Sequence, residues 1–298
     1  MESDTAMNTI EETIAGEFGK TIWSRFIKGV NEYRLIEPGD RIAVCISGGK
    51  DSMLMAQCMM RFQRYGKIPF ETEFLIMDPG YAPENRRRIE ENAALLDIPA
   101  NIMETRIFSS VEKEKNNPCF LCARLRRGWL YKTAQETGCN KIALGHHFDD
   151  VIETILMGIL YGSQVQTMMP KLHSENYSGM ELIRPLYLVR ERDIIAWRDF
   201  NRLSFLRCAC RVTENKGEEG SKRQEIKELL AQLRKVNPAV DMNIFRSVEN
   251  VNLRTLISYH SGKEYHHFLD DYSEGWSIRG TRCQPTDRND SPESGTQN

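Results

Sequence analysis

The sequence predicts an α/β domain built on a parallel sheet, with helical additions at both ends, and three observations carry that reading. Residues 41–47 (RIAVCIS) form a short apolar, β-branched run that breaks into Gly48-Gly49, as a buried parallel strand does. Residues 72–78, 100–105 and 141–146 repeat that character, with helical stretches at 51–65, 83–96 and 124–136 between them, and such alternation gives a parallel sheet with right-handed crossovers. From about Arg190 the pattern turns helical, with candidates at 190–201, 222–235 and 243–258.

In chain order, residues 1–17 are acidic and expected to be flexible. Five acids precede the first base, Lys20, without an apolar stretch, so no secretory leader is expected. Residues 18–35 place Ile22, Phe26, Ile27 and Val30 at helical spacing, and Glu37-Pro38-Gly39-Asp40 ends that helix before the first strand. The catalytic domain is expected over 18–210, a helical extension over 211–276, and a polar, disordered tail over 277–298.

The 298 residues are 40% hydrophobic and 28% charged, with a mean hydropathy of -0.50. No apolar run approaches the roughly 18 residues of a spanning helix. A cytoplasmic location without a membrane partner is expected, and there eight cysteines point to metal, redox or sulfur chemistry rather than to disulfides. The net charge of -2 alone speaks against nucleic acid, yet residues 119–211 carry 13 bases against nine acids between two acidic ends.

Ser47-Gly48-Gly49-Lys50-Asp51-Ser52 leaves a predicted strand and opens a predicted helix. Two glycines let the backbone approach phosphate oxygens, the helix N-terminus offers unpaired N–H groups, and two hydroxyls add donors. The spacing is not that of a Walker A loop, and a plain glycine turn is the alternative. SGGKDS after a strand resembles the PP-loop of the N-type ATP pyrophosphatases, which split ATP into AMP and pyrophosphate to adenylate a substrate oxygen. The resemblance implies that family's parallel five-stranded sheet, of the adenine nucleotide alpha hydrolase-like type. It also implies that Ser47, Gly48, Gly49, Asp51 and Ser52 hold phosphates, that Lys50 counters their charge, and that Met77 lies beside the adenine.

Gly145-His146-His147-Phe148-Asp149-Asp150 sits at the end of another predicted strand, where parallel sheets place their ligands. Asp149 and Asp150 are hard oxygen ligands suited to Mg²⁺ on a nucleotide, or caps for the following helix, one acid for each task. A zinc reading of the histidines ranks lower, because adjacent strand residues point apart. Glu153 and Thr154 complete GHHxDDxxET, which resembles the branch of the family that modifies tRNA cytidines. On that basis Gly145, Asp149 and Asp150 join the ATP-binding set.

Cys119-Phe120-Leu121-Cys122 is a C-x-x-C, and Cys208-Ala209-Cys210 is a distant C-x-C. Such spacing suits one soft centre, zinc or iron-sulfur, or, for the first pair alone, a redox dithiol. Cys45, Cys58 and Cys139 read as core, and Cys283 lies in the tail. The first pair runs into ARLRRGWLY, and C-x-x-C-x-R-L-R-R-G resembles the signature of the tRNA 2-thiocytidine synthetase family. The likeness extends over about 18–250 and takes in Ile183-Arg184-Pro185-Leu186 and Arg190-Glu191-x-Asp193-Ile194. It implies a [4Fe-4S] cluster on Cys119, Cys122 and Cys208 with one iron open to sulfur. A C-x-C stands where the family has a second C-x-x-C, so Cys210 competes with Cys208.

The same likeness implies ATP-dependent thiolation of cytidine 32 in the tRNA anticodon loop, with Lys50, Asp51, Asp150 and the three cysteines as the catalytic set. The implied partners are tRNA, a cysteine desulfurase or other sulfur donor, and a second copy of the chain. Alternatives are a cysteine that carries the persulfide itself, a small-molecule adenylating ligase with a structural zinc site, and a nucleotide-binding regulator without catalysis. Arg124, Arg126, Arg127 and Arg184 are the expected tRNA contacts, a solvated helix face being the plain alternative. Trp129 and Tyr131 offer stacking surfaces, though helix spacing makes at least one of them core. Met53, Met55, Met59 and Met60 read as core or nucleotide wall.

Overall fold

A computed structural model describes residues 9–111, 118–206, 222–270 and 272, with residues 118–120 followed by their backbone alone. The first helix, α1 (Ile10–Ala15), opens with a capping box between Thr9 and Glu12 and buries Thr13 and Ile14, so residues 10–15 are an ordered helix anchored to the core through these two, where a flexible end was expected. The expected single helix over 18–35 is instead a π-helical turn, Gly19–Trp23, followed by α2 (Ser24–Glu32). Phe18, Ile22, Phe26 and Val30 are all buried, and their strict four-residue spacing drifts ahead of a 3.6-residue turn. One wider turn keeps all four on the core side.

The strands are β1 (Arg41–Ile46), β2 (Glu71–Asp78), β3 (Ala100–Glu104), β4 (Lys141–Ala143), β5 (Lys171–His173) and β6 (Glu181–Ile183). They form one sheet in the order β3-β2-β1-β4-β6-β5. The five from β3 to β6 are parallel, as expected, and β5 adds an antiparallel edge. The helices α3 (Lys50–Tyr65), α4 (Pro83–Leu95), α5 (Ile107–Val111), α6 (Pro118–Glu136) and α7 (Phe148–Gly162) connect successive strands, and α8 (Glu191–Phe200) follows the sheet. Met53, Met55 and Met59 are buried in the main core with Met60 packed against it, and Cys58 lies beside them. Tyr131 is buried and Trp129 is 39% exposed, so the first is the core residue of that pair.

Two later helices, α9 (Lys222–Val236) and α10 (Val240–Ser247), bury Ile226, Leu230 and Phe245 against Val151, Ile152 and Ile155 of α7. The expected boundary at 210/211 therefore moves: one compact unit runs to Val248 and a second begins at Glu249. The helix expected over 243–258 stops at Ser247, where two asparagines, Asn250 and Asn252, compete for backbone hydrogen bonds. In the second unit, β7 (Ser258–Ser261) and β8 (Glu264–His267) form a hairpin in which Tyr259 stacks on His266 with ring centroids 4.7 Å apart. The expected disordered tail, 277–298, lies outside the described residues. No described helix is long and apolar enough to cross a membrane.

The end of the sheet opposite the phosphate loop is pinned by Lys141, 2% exposed, whose Nζ lies 2.7 Å from Asp40 and 3.1 Å from Glu181 and donates to the Leu35 carbonyl at 3.2 Å. Burial acts to lower its pKa, and the two carboxylates outweigh that and hold the ammonium charged. Among the described residues, Lys141→Met leaves Glu181 with Lys171 at 3.3 Å and Asp40 with only the neutral donors Asn140 and Glu37 N–H, and is expected to cost about 3 kcal/mol, read as a fall in the urea unfolding midpoint.

Candidate active site

The sheet order reverses between β1 and β4, which places the loops after these two strands side by side at their carboxyl ends. That crevice is where open α/β sheets bind ligands. A cavity of about 370 Å³ lies there, lined by Ser47, Asp51 and Ser52 of the phosphate loop, Met77 at the end of β2, Gly145, His146 and Asp150 after β4, and Arg126 and Arg127 of α6. Gly48, Gly49 and Lys50 belong to the same loop without lining the cavity.

The loop is held by its own hydroxyls. Ser52 Oγ donates to the Gly49 carbonyl at 3.0 Å and accepts from Ser47 N–H at 3.1 Å, and the two serine oxygens are 3.1 Å apart. Gly48 has φ +86°, and a Cβ there would stand 2.6 Å from Ile89, so glycine is required both by conformation and by space. Gly145 is favoured by space alone: a Cβ would meet Ser52 N at 3.0 Å and Asp51 C at 3.1 Å, so that turn would have to give by a few tenths of an ångström. The strand end after β4 thus packs directly on the first turn of α3.

The two acids of the second motif separate. Asp150 closes a capping box with His147: its carboxylate accepts from His147 N–H at 3.0 Å and its own N–H donates to His147 Nδ1 at 3.3 Å. It also lines the cavity. Burial acts to raise its pKa, but the imidazole and N–H of His147 outweigh that and hold the carboxyl below its usual range. Asp149 is turned away into a buried network, accepting from Glu191 N–H at 2.8 Å and from Arg234 at 2.8 Å, with Arg190 at 3.4 Å. The expected division of labour is therefore corrected: Asp150 both caps the helix and faces the cavity, while both oxygens of Asp149 are spoken for by protein.

Around this floor stand cations and a neutral imidazole. His146 is pushed down to about 4, first by burial and then by Arg184, and its Nδ1 is buried without a hydrogen-bond partner among the described residues. Arg184 is itself pushed down to about 10, chiefly by burial, and its Nε likewise has no partner among them. Of the four arginines expected to contact tRNA, Arg126 and Arg127 line the nucleotide cavity, Arg184 acts on His146 from beside it, and Arg124 is exposed on α6.

Lys50 Nζ lies 3.1 Å from Asp51 and 3.0 Å from Glu191. Burial acts to lower its pKa, and the two carboxylates more than offset it. Sequence reasoning gave Glu191 no role, although it lay in a recognised segment. The helix expected over 222–235 was given no part in the site, yet as α9 it brings Arg223 to 3.3 Å from Glu153 and 3.8 Å from Asp150, and Lys227 to 3.8 Å from Glu191 and 3.9 Å from Glu153. The bases at 223, 227 and 234 on one helix were the available signal.

Cys122 packs against Met77, Ile107 and Val111, which brings the second cysteine of the C-x-x-C beside a residue of the cavity wall. Cys119 is placed by its backbone in α6, while Cys208, Cys210 and Cys283 lie outside the described residues. The flanks of the Cys208 segment are placed: the Leu206 carbonyl oxygen would lie 3.8 Å from a Cβ on Gly49, and Arg223 reaches Asp150. Cys45 lines the cavity, but burial pushes its thiol up to about 12, which removes it as a nucleophile near neutral pH.

A family model described as a PP-loop domain matches residues 20–211. Among curated proteins, tRNA-cytidine(32) 2-sulfurtransferases from Alkalilimnicola ehrlichii and Geotalea uraniireducens are both 37% identical to the chain, covering 81% and 79% of it and 75% and 93% of their own lengths. One from Coxiella burnetii is 38% identical over 78% of this chain and 90% of its own. Among solved structures, the U34-tRNA thiolase NcsA from Methanococcus maripaludis with its [4Fe-4S] cluster shares the fold, with a TM-score of 0.59 at 20% identity over 76% of each chain.

Glu153, buried one turn beyond Asp150, is pushed up to about 7, chiefly by burial. A carboxyl raised from 4.5 contributes stability that is present below its unfolded pKa and is lost as pH rises through about 7. Glu153→Gln is expected to remove that loss. Its unfolding free energy relative to wild type should rise between pH 5 and pH 8, as urea melts at the two pH values will show.

Proposed function

The chain belongs to the PP-loop family and, within it, to the tRNA-cytidine(32) 2-sulfurtransferases, and we propose that it thiolates cytidine 32 of tRNA at the expense of ATP. One observation carries this reading. The phosphate loop, the Asp150 carboxylate and the arginines that follow the C-x-x-C all line one cavity, so nucleotide, metal and sulfur chemistry have a common meeting place.

ATP fits the residues there. The loop offers hydroxyls and α3 N–H groups to phosphates, Met77 supplies an apolar wall for adenine, and Asp150 is an oxygen donor of the kind that holds Mg²⁺. Asp51 belongs to the same catalytic set through its place on the loop. The cytosine O2 attacks the α-phosphorus as pyrophosphate leaves. Sulfur from a donor then attacks C2, the C2–O bond breaks, and AMP leaves. Lys50 and the loop donors neutralise charge that grows on the departing pyrophosphate, while Arg126, Arg127 and Arg184 supply cations for tRNA phosphates and for the adenylate.

The cysteine donors Cys119, Cys122 and Cys208, with Cys210 as the competing ligand, suit a [4Fe-4S] cluster, which would bind and deliver sulfur. Support for it is the thiolate donor set and the position of Cys122 beside Met77. The reading places the protein in the cytoplasm, supplied by a cysteine desulfurase or other sulfur donor, and includes a homodimer as its assembly.

With ATP, a sulfide source and a tRNA carrying cytidine 32, the anaerobically purified protein should yield 2-thiocytidine in a nucleoside digest. Digests without it under these conditions would overturn the function, and a colourless protein with one zinc would overturn the cluster. Lys50→Ala is expected to lower kcat/KM for ATP by on the order of 10²–10³-fold, the usual cost of removing a charge-stabilising donor.

A further inference from the structure

We propose that Glu191 is a positioning residue for Lys50: without nucleotide it holds the phosphate-loop lysine, and it yields that lysine to the triphosphate because Lys227 of α9 stands ready to take its charge. The inference rests on the ATP-binding reading of the loop and is independent of which base is modified.

The geometry is a chain of alternating charges. Lys50 Nζ lies 3.0 Å from one oxygen of Glu191, and Lys227 Nζ lies 3.8 Å from the other. The Glu191 main chain is fixed separately, its N–H donating to Asp149 at 2.8 Å, so the side chain can change partners while helix α8 stays in place. Glu191 is 26% exposed and Lys50 20%, so the pair is shielded enough to matter without being sealed in the core. The carboxyl is held below its usual range: burial acts to raise it, and Lys50 outweighs that with help from His147 and then Lys227. Lys227 lies 3.9 Å from Glu153 as well, so the relay ends on a second carboxylate.

Among the described residues Lys50 has two competitors for its charge, Asp51 and Glu191, and they differ in kind. Asp51 is the adjacent residue on the loop and moves with it. Glu191 comes from a separate element 141 positions away, so breaking its bond to Lys50 is a tertiary event. Any nucleotide must displace it. The cost falls if Glu191 keeps a cation after Lys50 leaves, and Lys227 is placed for that. The sequence predicts no such coupling because α9 lies far from the loop in the chain.

Three variants test the relay by equilibrium binding of ATP·Mg²⁺ to the full-length protein without tRNA. Glu191→Gln frees Lys50 and should tighten ATP binding about two- to fivefold, the scale of a partly exposed ion pair. Lys227→Met leaves Glu191 with Lys50 alone and should weaken binding by a similar factor. In a Lys50→Met background both effects should vanish, and Glu191→Asp, which keeps a carboxylate, should return binding toward wild type. Weaker ATP binding by Glu191→Gln, or equal effects with and without Lys50, would overturn the proposal, since a general change of field or shape acts in both backgrounds. Loss of ATP binding by the wild-type protein would instead strike the reading of the loop.

Discussion

The site depends on one close approach. The backbone after β4 reaches the first turn of α3 at Gly145, where a side-chain carbon would stand only 3.0 Å from Ser52 N and 3.1 Å from Asp51 C and would press on that turn. That contact fixes the phosphate loop relative to the His147–Asp150 capping box, and every other group of the cavity is measured from those two pieces. A parallel sheet supplies the adjacency of β1 and β4 through its strand order, and a residue without a Cβ lets the two loops approach this closely without pushing α3 back. The hydroxyls of Ser47 and Ser52 then lock the loop internally, so the donors are in place before any anion arrives, the preorganisation that charge stabilisation requires.

Charge organises the layer behind the cavity. Asp149, Asp150, Glu153, Glu191 and Asp241 would repel one another in one region if left alone. Arg190, Arg223, Lys227 and Arg234 interleave with them, and three of these four bases come from α9. This is why α9 cannot be an appendage: without it, carboxylates that flank the nucleotide site would face each other in a partly dry environment, a costly arrangement. Apolar burial of Ile226 and Leu230 on α7 holds the helix in register for that task.

Four of the five parallel strands and the placement of both nucleotide motifs were legible because they depend on local signals: apolar runs, glycine pairs and acids at strand ends; β6, three residues long, was implied only by the family resemblance. Cys45, Cys58 and Cys139 were legible as core for the same reason. What escaped depended on distant partners. Asp149 and Asp150 are adjacent and chemically identical, and only the arrival of Arg234 from 85 positions away and Glu191 from 42 assigns them different work. The π-helical turn at Gly19 answers a packing demand of four core residues that propensity alone does not encode. The domain boundary was drawn too early because the stretch around 211 is polar, whereas the apolar face of α9 that commits it to the core begins further on.

The edges of the sheet carry a consequence for assembly. The outer strand β5 is three residues long, follows Pro170, and bears Lys171 and His173; at the other edge β3 follows Pro99 and ends in Glu104. Short, charged strands that begin after proline are poor templates for pairing with a neighbour. The sheet is thereby guarded against continuing from one molecule into the next.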